Sequence, residues 1–246
     1  MTQSIRLARA ALHPVDLTGA IARIDSFIRE GSPHYNIAIN AAKVVACEDD
    51  AELRAAVAGA HLATADGQAV VWAARLLGDR VPARVAGADL MERLIAHAAD
   101  RGYSIYFLGA RPEVVAACVE RAHARHPNLR IAGARDGYFT DEDSVVAELR
   151  AARPDIVFLG FGTPAKEYFM HRRHRDVGAP FVMGVGGAFD VYAGLVRRAP
   201  RWLQRLGMEW AFRLAQEPRR MWKRYLVGNS RFVKIVAREL LRKVSR

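Results

Sequence analysis

The chain has 246 residues, 51% hydrophobic and 26% charged, with 37 Lys and Arg against 26 Asp and Glu for a net charge of +11. This length and composition exclude a disordered chain and suit one sizeable core with an appendage. Cys47 and Cys118 lie far apart, which excludes a disulfide framework or metal knuckle and reads as two small core residues in a reducing compartment.

From the N-terminus, residues 1–14 contain Arg6 and Arg9 but no long apolar run, so a secretory signal is not expected. Short β-rich apolar runs at 35–39, 103–108, 155–160 and 180–185 read as buried strands. Helical patterns at 50–60, 68–77, 88–100, 112–125 and 141–152 alternate with them. The alternation predicts an α/β fold, a Rossmann-like, mainly parallel sheet flanked by helices. Several strands end in glycine, at Leu108-Gly109-Ala110, Leu159-Gly160-Phe161-Gly162 and Met183-Gly184-Val185-Gly186-Gly187. Open α/β sheets bind ligands at that carboxyl edge.

Beyond Gly194 the pattern changes. Trp202, Leu206, Trp210, Leu214, Met221, Trp222, Tyr225 and Leu226 recur at mostly helical intervals among many arginines, and Pro218 is expected to divide the segment into two helices. Residues 1–194 carry 22 basic and 23 acidic side chains, whereas residues 195–246 carry 15 and 3. All the basic excess is therefore in the last fifth of the chain. The division expected is an α/β domain at 1–195 and a basic, amphipathic, helical appendage at 196–246 that needs an anionic partner or surface. No stretch has the roughly 18 uninterrupted apolar residues of a spanning helix. A cytoplasmic chain, or one held to a membrane from the cytoplasmic side, is the expectation.

Asp66, in Thr64-Ala65-Asp66-Gly67-Gln68, sits between an apolar run and an amphipathic helix. It is either a helix N-cap or a general base that takes a proton from an attacking hydroxyl. In Arg84-Val85-Ala86-Gly87-Ala88-Asp89, Arg84 can reach a diphosphate with its planar fork or stay solvated, and Asp89 can cap the adjoining helix. The glycine-rich Gly184-Val185-Gly186-Gly187 offers backbone N–H groups to an anion, although its spacing is not that of a dinucleotide fingerprint. Asp190 either contacts a ribose or uracil edge or caps the segment after it. His171 and His174 lack metalloprotease spacing and are flanked by arginines, so both are expected on a polar face rather than on a metal. No nucleophile elbow and no Walker loop is present.

Ile39-Asn40-Ala41, Ala65-Asp66-Gly67, Arg84 to Leu90, Phe107-Leu108-Gly109, Gly160-Phe161-Gly162-Thr163-Pro164, Gly184 to Asp190, Arg198-Ala199-Pro200, and Met208-Glu209-Trp210 through Arg213 to Glu217-Pro218-Arg219 together resemble the WecG/TagA/CpsF family of bacterial glycosyltransferases, from about residue 36 to about residue 232. The resemblance implies transfer of N-acetylmannosamine, its uronic acid or glucose from UDP to a sugar on undecaprenyl diphosphate, in cell-surface polysaccharide synthesis. It implies Asp66 as catalytic base, Asn40, Gly87, Gly186 and Asp190 near the nucleotide sugar, and Arg84 in the site. It also implies an arginine-rich appendage closing over the site and meeting the membrane. The departing diphosphate needs cationic partners, and Arg84, Arg213, Arg219, Arg220 and Arg224 are the candidates; the same arginines could hold the acceptor's lipid diphosphate. Neither a cofactor nor a metal is implied, the UDP-sugar being a co-substrate. Ala38 stands where family members commonly carry Thr, and Lys166 where they carry Gln. Both changes lie near the sugar site and point to a different donor, with a glucosyltransferase among the candidates.

Two other readings compete. A basic nucleic-acid-binding module would use the C-terminal arginines on phosphates and be indifferent to Asp66→Asn, whereas the enzyme is expected to have no nucleic-acid partner. A catalytically inactive member would serve as an assembly partner. The apolar appendage also offers a subunit contact for a homo-oligomer when no membrane is present.

Overall fold

The computed structural model describes residues 4–205, 207–216 and 218–244. A hairpin of β1 (Ile5–Leu7) and β2 (Ala10–Leu12) is followed by α1 (Leu17–Glu30), β3 (His34–Ile39), α2 (Ala41–Asp49), α3 (Ala51–Ala58), β4 (Leu62–Ala65), α4 (Gln68–Leu76) and α5 (Gly87–Arg101). Then come β5 (Ser104–Leu108), α6 (Pro112–Arg125), β6 (Arg130–Arg135), α7 (Glu142–Ala152), β7 (Ile156–Leu159), α8 (Ala165–Arg173), β8 (Phe181–Gly184) and α9 (Ala188–Tyr192). Helices α10 (Arg201–Arg205), α11 (Glu209–Gln216) and α12 (Pro218–Val244) form the C-terminal segment. Helix α11 ends at Gln216 and α12 starts at Pro218; the break expected there falls on residue 217, outside the described residues.

Strands β3 to β8 form one sheet in the order β4-β3-β8-β7-β5-β6, and every pairing in it is parallel. All but the edge strand β6 are buried on both faces, the setting in which parallel strands read as near-continuous apolar runs. Tyr35, Ile37, Val157, Leu159 and Val182 face a core shared with the hairpin, α2, α3, α4, α7, α8 and α12. Phe107, Ile156, Phe158, Phe181 and Met183 face a second core shared with α1, α5, α6 and α9. Both cysteines are buried and free, as expected. Phe232, Ile235 and Val236 of α12 join the first core, so the C-terminal helix is packed on the α/β body.

The chain leaves β3 into α2 on one face and leaves β8 into α9 on the other. Adjacent parallel strands whose connections diverge in this way leave a crevice between their carboxyl ends. Among the described residues, no helix is long and apolar enough to cross a membrane.

Candidate active site

Ile39 and Ala65 are register partners at the ends of β3 and β4, so Asn40 and Asp66 leave the sheet side by side. The Asp66 N–H bonds the Ile39 carbonyl at 2.8 Å, which fixes the half-buried carboxylate at the strand end. The capping alternative fails, because α4 is capped by Gly67, whose φ of 135° carries the chain out of the strand, with no side-chain cap bond. Asn40 does cap a helix: its Oδ1 accepts from the Lys43 N–H at 3.0 Å at the start of α2.

The loop before α5 lies across the end of β4, since the Val85 N–H bonds the Ala65 carbonyl at 2.8 Å. Arg84 is not a solvated surface residue. Its Nη1 meets Glu209 Oε2 at 2.7 Å and its Nη2 lies 3.8 Å from Asp89 Oδ2. Arg198 completes a ring of four charges, gripping Asp89 with both terminal nitrogens and reaching Glu209 Oε1 at 3.5 Å. The bond to Asp89 raises the Arg198 pKa above its usual value. Asp89 therefore acts as a clamp: α5 begins after Ala86, and no side chain caps it. This ring ties the start of α11 to the carboxyl edge of the sheet. Gly87 begins α5 close to β3, where an added Cβ would stand 3.8 Å from the Ala38 Cβ.

Lys166, near the start of α8, runs beside the glycine loop after β8. An added Cβ on Gly186, at φ +53°, would lie 3.7 Å from its Nζ. The ammonium lies against Thr163 Oγ1 and 3.0 Å from Glu167 Oε1. The same carboxylate oxygen receives Lys43 Nζ at 2.8 Å, and Lys43 also donates to the Ala38 carbonyl at 2.6 Å. Glu167 is fully buried and both lysine side chains are under one-tenth exposed. Burial pushes the Glu167 carboxyl up, but the two ammonium groups more than reverse it and hold it below the usual carboxylate range. Lys166 is thus a built-in member of a buried Lys-Glu-Lys cluster linking the ends of β3 and β7 to α8.

Asp190 belongs to the first turn of α9, which Gly187 caps. Its carboxylate lies 3.9 Å from Arg111, and its carbonyl accepts from the N–H groups of Leu195 and Val196. It holds the link into the appendage and caps nothing. Arg213 lies on α11, and Arg219, Arg220 and Arg224 lie on α12; their side chains are outside the described residues. His174 corrects the polar-face reading. It is buried and packs its ring 4.7 Å from Tyr35 and 5.5 Å from His61, because the turn after α8 folds inward beneath β3. Among the described residues, no group of three His, Cys, Asp or Glu side chains could hold a metal.

Sequence reasoning missed the roles of Lys43, Glu167, Arg198 and Glu209. Lys43 carried a faint signal, as the one charge in Ala41-Ala42-Lys43-Val44-Val45-Ala46-Cys47.

A parallel α/β sheet with a carboxylate, an amide, arginine and lysine cations and a glycine turn gathered at its carboxyl edge has the arrangement at which open α/β folds bind ligands. The chain belongs to the WecG/TagA/CpsF family of glycosyl transferases, whose sequence model matches residues 5–246. It is a glycosyltransferase of the cell-surface polysaccharide type.

Proposed function

We propose that the protein is an inverting, UDP-sugar-dependent hexosyltransferase acting on a sugar linked to undecaprenyl diphosphate. The donor is UDP-N-acetylmannosamine, its uronic acid or UDP-glucose. The observation that carries this reading is the placement of Asp66 beside Asn40 at the carboxyl ends of two paired strands, bordered by the Arg84 loop. Asp66 takes the proton of the acceptor hydroxyl as that oxygen attacks the anomeric carbon; the bond to the donor phosphate breaks and UDP leaves with its electron pair. In-line attack of this kind inverts the anomeric centre.

Diphosphate departure is favoured by fixed positive charge. Arg84 and the arginines of α11 and α12 supply it in this reading, and neither a cofactor nor a metal takes part. Residues 196–246 act as the appendage that brings the site to its substrate at the inner face of the plasma membrane. Exposed apolar side chains support that role: Leu195 and Trp202 at the start of the segment, with Trp72 and Leu76 on α4. The segment runs beside α4 at Gly207, where an added Cβ would be 3.3 Å from the Trp72 ring. Tryptophans beside basic residues suit the interface of an anionic bilayer.

The test is UDP release by purified protein with a lipid-diphosphate-sugar acceptor and each of the three donors, with and without EDTA. Asp66→Asn is expected to lower turnover by about 10²- to 10⁴-fold without loss of folding, and EDTA to leave it unchanged. Full activity in Asp66→Asn refutes the assignment of the base.

A further inference from the structure

Beyond the residues assigned to sugar transfer, a cavity of about 410 Å³ lies between α5, α6, α9 and the 194–198 link. Its charged lining comprises four arginines, Arg121, Arg125, Arg197 and Arg198, against one carboxylate, Glu92. Glu92 pairs with Arg125 at 2.6 Å, and Arg198 belongs to the ring with Asp89 and Glu209. Arg121 and Arg197 have no carboxylate within ion-pair distance among the described residues.

Tyr192 also lines this cavity. It is buried, and its hydroxyl has no hydrogen-bond partner. The guanidinium groups of Arg121 and Arg125 each stand 5.9 Å from its ring centroid. Arg121 also presses on the backbone at Gly194, where an added Cβ would come within 2.7 Å of its Nη1. A guanidinium held between an aromatic face and a glycine backbone is preorganised.

A buried hydroxyl left without a partner is costly unless a ligand or water completes it. Burial pushes the Tyr192 hydroxyl up to about 12, so it keeps its proton and can donate. The side-chain groups not already engaged, two guanidinium forks and a phenol, are donors that match phosphate oxygens. The volume falls in the range of about 300–1,000 Å³ usual for ligand sites, with room for more than one phosphate group.

We propose that this cavity is a binding site for a phosphate-ester anion of diphosphate size, distinct from the Asp66 edge and independent of which sugar is transferred. Ala88 and Ala188 connect the two regions, lining the cavity directly after Gly87 and Gly187. The phosphate can come from a soluble diphosphate or from the headgroups of an anionic lipid surface.

Calorimetric titration of the full chain with inorganic pyrophosphate tests the proposal, with Arg121→Gln and Arg197→Gln reading out this cavity, since neither residue is assigned to the donor site. Wild type is expected to bind pyrophosphate, and Arg121→Gln or Arg197→Gln to weaken that binding about tenfold or more. Arg121→Lys, which keeps charge and stem but loses the fork, distinguishes a binding defect from a folding defect and is expected to weaken binding with an unchanged melting temperature. Absence of binding by wild type, or equal affinity in both Gln variants, overturns the proposal. If pyrophosphate binding behaves as expected, phosphatidylcholine vesicles with and without phosphatidylglycerol distinguish the sources. Weaker binding of the variants to the anionic vesicles identifies a headgroup phosphate, and unchanged vesicle binding identifies a soluble diphosphate.

Discussion

Replacing Glu167 by Gln keeps its shape and removes the one negative charge placed between two buried lysines. Lys43 Nζ lies 2.8 Å and Lys166 Nζ 3.0 Å from the same oxygen, with Glu167 at 0% exposure and the lysine side chains at 5% and 8%. Removing one partner of a buried ion pair costs about 3–5 kcal/mol, because the remaining charge is left in a poorly solvated place. For a domain of this size, with unfolding entropy near 2.1 cal/mol/K per residue, that lowers the melting temperature by roughly 6–10 °C. Lys166→Gln acts differently, leaving Lys43 and Glu167 as a matched pair, and its expected cost is below about 1.5 kcal/mol, or some 3 °C. Thermal unfolding at pH 7 followed by circular dichroism, with both variants beside wild type, measures the contrast. Equal melting temperatures for Glu167→Gln and wild type, or a larger loss for Lys166→Gln, would refute the account of a carboxylate neutralising two buried cations.

Acid should weaken the fold before most carboxylates titrate. Burial pushes His13 and His61 down from 6.5 to about 4, so the unfolded chain takes up protons as the pH falls through 6.5 while the folded chain does not until about 4. Stability is then lost between those values, by about 2 kcal/mol per histidine at pH 5, and urea midpoints that stay constant from pH 7 to 5 would contradict this. Glu209→Gln should loosen the segment that α11 begins, since Glu209 holds both Arg84 and Arg198. Faster tryptic cleavage after residue 195, at a stability cost of about 1–3 kcal/mol, is the expected readout, with unchanged cleavage the opposing one. Trp72→Ser with Leu76→Ser should weaken binding to phosphatidylglycerol vesicles by about tenfold or more, from the apolar area these side chains would bury in the interface; vesicle affinity equal to wild type would remove α4 from the membrane-facing surface.

Four of the strands buried on both faces, β3, β5, β7 and β8, were the most legible part of the fold, whereas the short, alanine-rich β4 was not among the expected strands. Continuous apolar runs such as Ile156-Val157-Phe158-Leu159 leave little else for the chain to do, and the observed strand ends lie within one or two residues of the expected ones. Strand β6 was not legible, because Arg130-Ile131-Ala132-Gly133-Ala134-Arg135 lies at the sheet edge and carries neither a continuous run nor a clean alternation. Helix α2 was missed for a related reason: a lysine in its first turn looks like a solvated face until Glu167, more than a hundred residues away, is placed opposite it. At the site, the strand-end positions of Asp66 and Gly186 followed from local turn chemistry, and that of Asn40 from the family resemblance. The ring around Arg84 did not, since Arg84 was read as a diphosphate ligand or a solvated residue and Asp89 as a cap, while their partners Arg198 and Glu209 lie more than a hundred residues further along the chain. His174 was misplaced because a histidine among arginines gives no local sign that the chain turns inward.

The strand order has a consequence for synthesis. Strand β8 sits between β3 and β7 yet follows all the other strands of the sheet in sequence, so the β4-β3 pair and the β7-β5-β6 trio have no shared hydrogen-bonded edge until residues near 181–184 have emerged. Asn36 and Met183, register partners in the finished sheet, must close a loop spanning most of the chain, the kind of contact that forms late. Until that strand inserts, both half-sheets present open edges, and the crevice beside Asp66 has only one wall. The nascent chain therefore completes this crevice only once β8 has emerged, just before the arginine-rich segment that follows it.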